Sequence, residues 1–440
     1  MLCWFARFST VTAGVSQMKP SLKISVVCGL LLSSGAVYAE ASSTDTQAPL
    51  SENMAQLIAQ GKYLAAAGDC SGCHTIESGQ AYGGGRAFDT PFGTLYSTNI
   101  SSDKQHGIGN YSYQQFVDAV RNGVAPKGNL YPAMPYTSYH RINDHDMHAL
   151  YAYFMQTKPA TQPNRENGIG FPFNIRMGLK VWNLVAFDKP TFTPTADKTP
   201  LWNRGKYLVQ GLGHCGECHT PRNFMMATEQ DHPLEGAVVN YLNAPNITSK
   251  NLTQEHWTFS NLAQFLKTGQ SPKGTAFNDM FIVEKHSLTQ LNDHDITAIT
   301  SYLLNQAQPS QSAVSQPKLT SLVASQFDTK LPGYRIYMDK CSGCHGQNGQ
   351  GTPNVAPALQ NNATIENSNI FNTVAVLNNG IERQSYSQEQ TYYAMPGYKN
   401  SLNNQQMADL ITYLHKRFTT QMTTTTAKQV ADIKKQLATN

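Results

Sequence analysis

Along residues 147–154 apolar side chains return at helical spacing, with Met147, Leu150, Tyr151 and Phe154 on one face of a predicted helix. Residues 407–414 repeat that stripe with Met407, Leu410, Ile411 and Leu414. Start signals precede these segments: Asn143 with Asp146, Asn292 with Asp295 and Asn403 with Gln406 each set a capping residue three positions before an acid or amide. Three closing helices are therefore expected just after these caps, each burying one face. A shorter helix is expected between Arg176 and Phe187, where Leu179, Trp182 and Val185 keep helical spacing. Gln, Ser and Pro crowd the stretch 306–316, which reads as part of a linker. The last stretch, 419–440, is polar, with only Val430, Ile433 and Leu437 as a weak stripe beside Lys428, Lys434 and Lys435; it reads as a disordered or solvated tail.

The amino terminus follows a different pattern. Arg7, Lys19 and Lys23 precede an apolar run from Ile24 to Leu32, and small residues lead to Ala36-Val37-Tyr38-Ala39. This order predicts an export signal over 1–39, cleaved after Ala39, with Met18 as the true start. The apolar run is shorter than the roughly 20 residues a membrane span needs. Removing 1–39 takes away three basic residues and no acid, so 33 basic against 29 acidic residues become 30 against 29. A nearly neutral chain without a basic stripe interleaved with aromatics is not expected to bind nucleic acid.

Of eight cysteines, Cys3 and Cys28 leave with the signal, and the remaining six are paired as Cys70-Ser71-Gly72-Cys73-His74, Cys215-Gly216-Glu217-Cys218-His219 and Cys341-Ser342-Gly343-Cys344-His345. Each is a CxxCH haem c attachment pattern. Two thiols about one turn apart can add to one porphyrin edge while the next residue turns its imidazole toward the iron. A dithiol redox centre would not require the following His, and structural zinc would need an even number of pairs. Three covalently bound haem c groups are therefore expected, on Cys70 and Cys73, Cys215 and Cys218, and Cys341 and Cys344, with His74, His219 and His345 as iron ligands.

Alignment on these motifs exposes an internal repeat. Gly61-Lys62-Tyr63-Leu64 answers Gly205-Lys206-Tyr207-Leu208, Asn99-Ile100-Ser101 answers Asn246-Ile247-Thr248, and Pro126-Lys127-Gly128 answers Pro272-Lys273-Gly274. Asn143-Asp144-His145-Asp146 recurs as Asn292-Asp293-His294-Asp295; a shorter third unit keeps Gly333-Tyr334 and Met395-Pro396-Gly397. The fold class expected is all-α, three tandem cytochrome c domains joined by linkers: domains at 53–157, 201–305 and 327–418, an interdomain segment at 158–200 and a linker at 306–326. The interdomain segment is expected to seat the first domain on the second.

The sixth iron ligand separates a carrier from a catalyst, because His/Met ligation closes the iron and raises its potential. His74 to Met134 is 60 residues and His219 to Met280 is 61, so these two methionines are equivalent candidates; Met395 is the candidate in the third unit. His140, His145, His286 and His294 are the rivals. Gly83-Gly84-Gly85-Arg86 reads as a turn near a haem edge, with Arg86 placed to pair a propionate.

The chain also resembles a known family over nearly all of 55–418, most specifically at Gly84-Gly85-Arg86-Ala87-Phe88-Asp89-Thr90-Pro91-Phe92-Gly93, Leu130-Tyr131-Pro132-Ala133-Met134-Pro135-Tyr136 and Phe171-Pro172-Phe173-Asn174-Ile175-Arg176. These stretches are similar to the three-haem cytochrome c subunits of membrane-associated bacterial dehydrogenases acting on alcohols, sugars, polyols and sugar acids. The resemblance implies a separate flavin- or quinoprotein dehydrogenase subunit that does the substrate chemistry. It also implies electron delivery to quinone at the outer, periplasmic face of the inner membrane, with no catalytic residue in this chain. Members often carry a membrane-associating carboxyl-terminal segment, which the polar 419–440 lacks. Two rival functions are a multihaem peroxidase or reductase with one open iron and a free-standing periplasmic shuttle. Three methionine candidates oppose the first; chain length and the interdomain segment oppose the second.

Overall fold

The computed structural model describes residues 54–239, 242–307, 329–386, 390–420 and 422–439. The expected export segment 1–39 and most of the linker 306–326 lie outside these residues.

Three times in the chain, a helix ahead of a CxxCH motif packs across a closing helix: Met54–Ala67 on Asp144–Phe154, Pro200–Tyr207 on Asp293–Leu304, and Gly333–Lys340 on Asn404–Phe418. A glycine sits at each crossing. A Cβ on Gly61 would lie 1.9 Å from the Ala149 carbonyl oxygen, one on Gly205 1.9 Å from that of Ala298, and one on Gly333 2.2 Å from that of Asp409. No larger residue fits where the backbones approach so closely, which explains why a glycine stands at each of these three places. The predicted stripes face inward, with Met147 and Met407 fully buried and Leu150 and Leu414 nearly so. Each such side chain contributes about 1.5–3 kcal/mol of transfer free energy.

The caps form as expected at their first bond, since the side chains of Asn143, Asn292 and Asn403 accept from the backbone N–H three residues on. Only Asn403 and Gln406 complete the reciprocal box. Asp146 keeps a 3.3 Å bond from the Asn143 side-chain amide, but Asp146 and Asp295 both take further donors from outside their own caps. Tyr207 donates to Asp146 at 2.7 Å, and Tyr63 donates to Asp295 at 2.7 Å, so each repeat's tyrosine bonds the other repeat's aspartate. Each tyrosine oxygen also accepts a backbone N–H from the opposite cap, Asn143 at 3.2 Å and Asn292 at 3.3 Å. The exchange is asymmetric in charge: Gln60 donates to Asp146 at 3.0 Å, whereas Arg204 grips Asp295 with two bonds of 2.9 and 2.7 Å. Leu64, Met147 and Leu150 share one continuous core with Leu208, Leu212, Ile296 and Ile299. A second core gathers Tyr337, Phe371, Met407, Ile411 and Phe418. A buried ion pair between Lys273 and Glu366 joins the two regions.

Two expectations need correction. The chain is mainly helical, yet its described residues also hold six small antiparallel sheets, so it is not purely all-α. The repeated Pro-Lys-Gly is the reason for two of them: Pro126 and Lys127, like Pro272 and Lys273, are the two loop residues of hairpins pairing Ala125 with Gly128 and Ser271 with Gly274. The polar tail is the other correction. Ala427–Thr439 is a helix packed against Phe371–Asn379 and Asn404–Phe418, with Val430 fully buried and Leu437 nearly so. Its weak stripe suffices because it needs to cover only one groove, and Thr425 N–H anchors its approach on Thr412 Oγ1 at 2.9 Å.

The interdomain segment contains the expected helix, at Met177–Ala186. Its inner side touches both flanking units: Tyr136 donates to Asn183 at 2.7 Å, and Trp182 donates to the Met225 carbonyl at 2.8 Å. Val185, expected on the packed stripe, instead faces solvent at 62% exposure.

Candidate haem-attachment sites

Each CxxCH motif forms a single helical turn after the crossing helix, in the second unit across a π-helical turn Leu208–Leu212: Cys70–His74, Gly216–His219 and Ser342–His345. Entry to the first two needs left-handed backbone, at Asp69 (φ 50°) and His214 (φ 37°). The three imidazoles share one arrangement. Nδ1 of His74 lies 2.6 Å from the Thr98 carbonyl, Nδ1 of His219 2.7 Å from that of Pro245, and Nδ1 of His345 2.9 Å from that of Pro357. A carbonyl can only accept, so the ring proton sits on Nδ1 and Nε2 keeps its lone pair. Burial pushes all three imidazoles toward the neutral form, the state that binds a metal.

The thiols beside them are unbridged. Burial pushes Cys73, Cys215 and Cys341 up to about 12, Cys218 up to about 11, and Cys70 well above its ordinary value. A dithiol redox centre needs a depressed thiol, the opposite of what these surroundings impose. Paired cysteines followed by an imidazole with a fixed tautomer and a free Nε2 fit covalent haem.

Those carbonyl acceptors were not anticipated from sequence, yet a signal for two of them was present. Asn99 and Asn246 each follow the acceptor, and their side chains take the backbone N–H of Ser101 and Thr248, both at 2.9 Å. The repeated Asn-Ile-Ser/Thr is thus an Asx turn that aims the preceding carbonyl at the histidine. Arg86, expected near a haem edge, also contacts the first motif itself. Its guanidinium donates to the Gly72 carbonyl at 2.5 Å, inside the first motif, with Asp279 3.8 Å away on its other side. Arg222, which sequence reasoning passed over, does the same in the second motif, donating to the Glu217 carbonyl at 2.7 Å and its carboxylate at 2.9 Å.

Asp69 lies against the first motif, its carboxylate so close to Gly72 that a Cβ there would meet Oδ1 at 2.3 Å. Burial pushes this carboxyl up to about 7, against the pull of Arg86, and Oδ1 has no hydrogen-bond partner.

Met134 and Met280 are half-buried against the core that Cys70 and Cys215 also touch, and Met395 against the core that includes Cys341. Their backbones differ: Met134 sits in a turn before Tyr136–Tyr139, Met280 inside the helix Asn278–His286, and Met395 on a two-residue strand opposite Ile381. Among the rival histidines, His145 and His294 stand exposed on the closing-helix caps, beside Asp146 and Asp295. His140 directs Nδ1 at the Arg121 carbonyl, 3.0 Å away, and its ring meets Phe187 edge-on. His286 ends the Met280 helix, half-buried and held below its ordinary value by burial and by Lys285 and Arg86.

The cytochrome c family profile matches residues 58–158 and 331–418. The gluconate 2-dehydrogenase cytochrome c subunit of Pantoea cypripedii is 39% identical over 86% of this chain and 90% of its own length. The fructose dehydrogenase cytochrome subunit of Gluconobacter japonicus is 37% identical over 86% of this chain and 82% of its own. An alcohol dehydrogenase (quinone) cytochrome c subunit from Gluconacetobacter polyoxogenes is 37% identical over 81% of this chain and 80% of its own. With this similarity over most of its length, the chain belongs to the cytochrome c family that includes the cytochrome c subunits of gluconate, alcohol and fructose dehydrogenases.

Proposed function

We propose that this chain is the electron-transfer subunit of a periplasmic dehydrogenase complex and carries three haem c groups, one in each of three tandem domains. Cys70 and Cys73, Cys215 and Cys218, and Cys341 and Cys344 hold the three groups by thioether bonds. His74, His219 and His345 are their proximal ligands, and Met134, Met280 and Met395 their distal ligands. A haem of this ligation supplies one-electron redox chemistry with a closed iron. The protein's part is to fix each imidazole by its Nδ1 bond and exclude water. Electrons come from a separate flavin- or quinoprotein subunit and pass toward quinone or the respiratory chain; this chain oxidises no substrate itself.

The observation that carries the reading is the threefold recurrence of a CxxCH imidazole bonded through Nδ1 to a loop carbonyl. Such outer bonds orient a metal-ligating histidine and have no purpose for a dithiol. The names of the relatives support the partner class. The test is to follow haem reduction when the purified chain meets alcohols, sugars and sugar acids, alone and with the subunit that co-purifies from its native membrane. Reduction only with the partner is expected; rapid reduction by substrate without it would refute the subunit role.

A further inference from the structure

We propose that Glu217 is a positioning residue: from inside the second attachment motif it holds the turn that carries Met134, so that the second haem site braces the distal side of the first. This role rests on the assignment of Met134 as a distal ligand. The third position of the three motifs is held by Gly72, Glu217 and Gly343. Attachment needs no side chain there, and a Cβ on Gly343 would meet nothing within 4 Å. Glu217 nevertheless sets a carboxylate at that place, with its side chain only 12% exposed. A buried carboxylate is costly unless its oxygens are hydrogen-bonded, so its partners show what it holds.

Arg222 donates to Oε2 at 2.9 Å and to the Glu217 carbonyl at 2.7 Å, which keeps one carboxylate oxygen inside the second unit. Oε1 goes to the first unit, where Thr137 Oγ1 donates to it at 2.7 Å and Ser138 Oγ at 2.8 Å. Hydroxyl bonds to an ionised acceptor are the strong kind. These two hydroxyls stand three and four residues after Met134, and the backbone carries their position back to it. Ser138 N–H donates to the Pro135 carbonyl at 3.0 Å, and Tyr136 N–H donates to the Met134 carbonyl at 2.8 Å. Pro135 fixes its own φ, so the turn moves as one piece. At the far end of the same turn, Tyr139 meets His214 edge-on, one residue before Cys215. The converse contact is looser. Arg86, bonded to the first motif at Gly72, lies 3.8 Å from Asp279, the residue before Met280, and the Asp279 side chain is 51% exposed. Removing the Glu217 carboxylate should therefore loosen Met134 and leave Met280 in place.

The test is carbon monoxide titration of the reduced, haem-loaded protein, with haem content verified for each variant. Glu217→Ala should raise the apparent carbon monoxide affinity of one haem by about tenfold or more, the loss of roughly one net charge-assisted hydrogen bond. Glu217→Gln keeps an acceptor oxygen for both hydroxyls and should restore most of the wild-type behaviour. In a Met134→Ala background the first iron is already open, so adding Glu217→Ala should change nothing. In a Met280→Ala background it should add a second, weaker carbon monoxide site. Thr137→Val with Ser138→Ala removes the same two bonds from the other side and leaves the motif intact, so it carries the test if Glu217→Ala loses its second haem. Unchanged affinity in the Thr137→Val, Ser138→Ala variant would overturn the proposal. So would an effect of Glu217→Ala that survives in Met134→Ala but vanishes in Met280→Ala, since Glu217 would then act on its own haem. If Met134→Ala itself opens no iron, the ligand assignment fails and the positioning role falls with it.

Discussion

The crossed tyrosine–aspartate exchange between the first two repeats predicts an asymmetry that substitution can measure. Asp295 is 2% exposed and takes two bonds from Arg204 and one from Tyr63. Asp295→Ala strands a guanidinium whose side chain is 29% exposed and leaves the Tyr63 hydroxyl without its acceptor. Breaking a fully buried ion pair costs about 3–5 kcal/mol, and solvent at Arg204 reduces that to roughly 2–4 kcal/mol. Asp146→Ala removes bonds from Tyr207 and from the neutral amides of Gln60 and Asn143, for which about 1–2 kcal/mol is appropriate. Urea unfolding of the haem-loaded protein should therefore rank Asp295→Ala well below Asp146→Ala. In an Arg204→Ala background the Asp295→Ala cost should fall to that of its counterpart. The sign of the pH dependence also follows. Burial raises the Asp295 carboxyl, but the Arg204 and Tyr63 bonds outweigh it and hold it below the ordinary value. A depressed carboxyl contributes stability above its unfolded value and loses it as pH falls through the folded one, so the gap between wild type and Asp295→Ala should close below about pH 4. Equal costs for the two aspartates, or a cost unchanged by removing Arg204, would refute the reasoning.

Further outcomes follow from the same geometry. Gly205→Ala forces a Cβ to 1.9 Å from a backbone oxygen that cannot swing away, so it should destabilise by about 2 kcal/mol or more in the same assay. Met280→Ala should open one iron to carbon monoxide and lower one reduction potential, because a thioether favours the ferrous state; unchanged spectra would shift the assignment to His286. With the Asp69 carboxyl near 7, the extra positive charge of an oxidised haem on Cys70 and Cys73 should favour the carboxylate. That haem's potential should then fall as pH rises through about 7 in a spectroelectrochemical titration, and Asp69→Asn should flatten the slope.

Much of this was legible because repetition turns weak signals into strong ones. Asn143 and Asn292 read correctly as caps, and Gly61 and Gly205 were visible as repeated residues before their close approaches to Ala149 and Ala298 were known. Where the reading stopped, the cause was distance in sequence. Asp146 and Asp295 read as partners of their own caps, and nothing local reveals that their hydroxyl donors stand 61 and 232 residues away. For the same reason two tandem repeats did not announce a shared core, and the Arg86 bond to Gly72 was not foreseen. The carboxyl-terminal helix was misread because burial of Val430 depends on a groove built by other helices, which amphipathic periodicity alone cannot reveal. Val185 failed in the opposite sense: periodicity gave the helix but not which apolar face would be left in solvent.

The central claim, three haems on one chain, is tested most directly by the haem content of the purified polypeptide after expression with full cytochrome c maturation machinery. Three complete motifs with three equivalently fixed imidazoles predict three covalent haems per chain by pyridine haemochrome absorbance against protein mass; a value of two or fewer would contradict it.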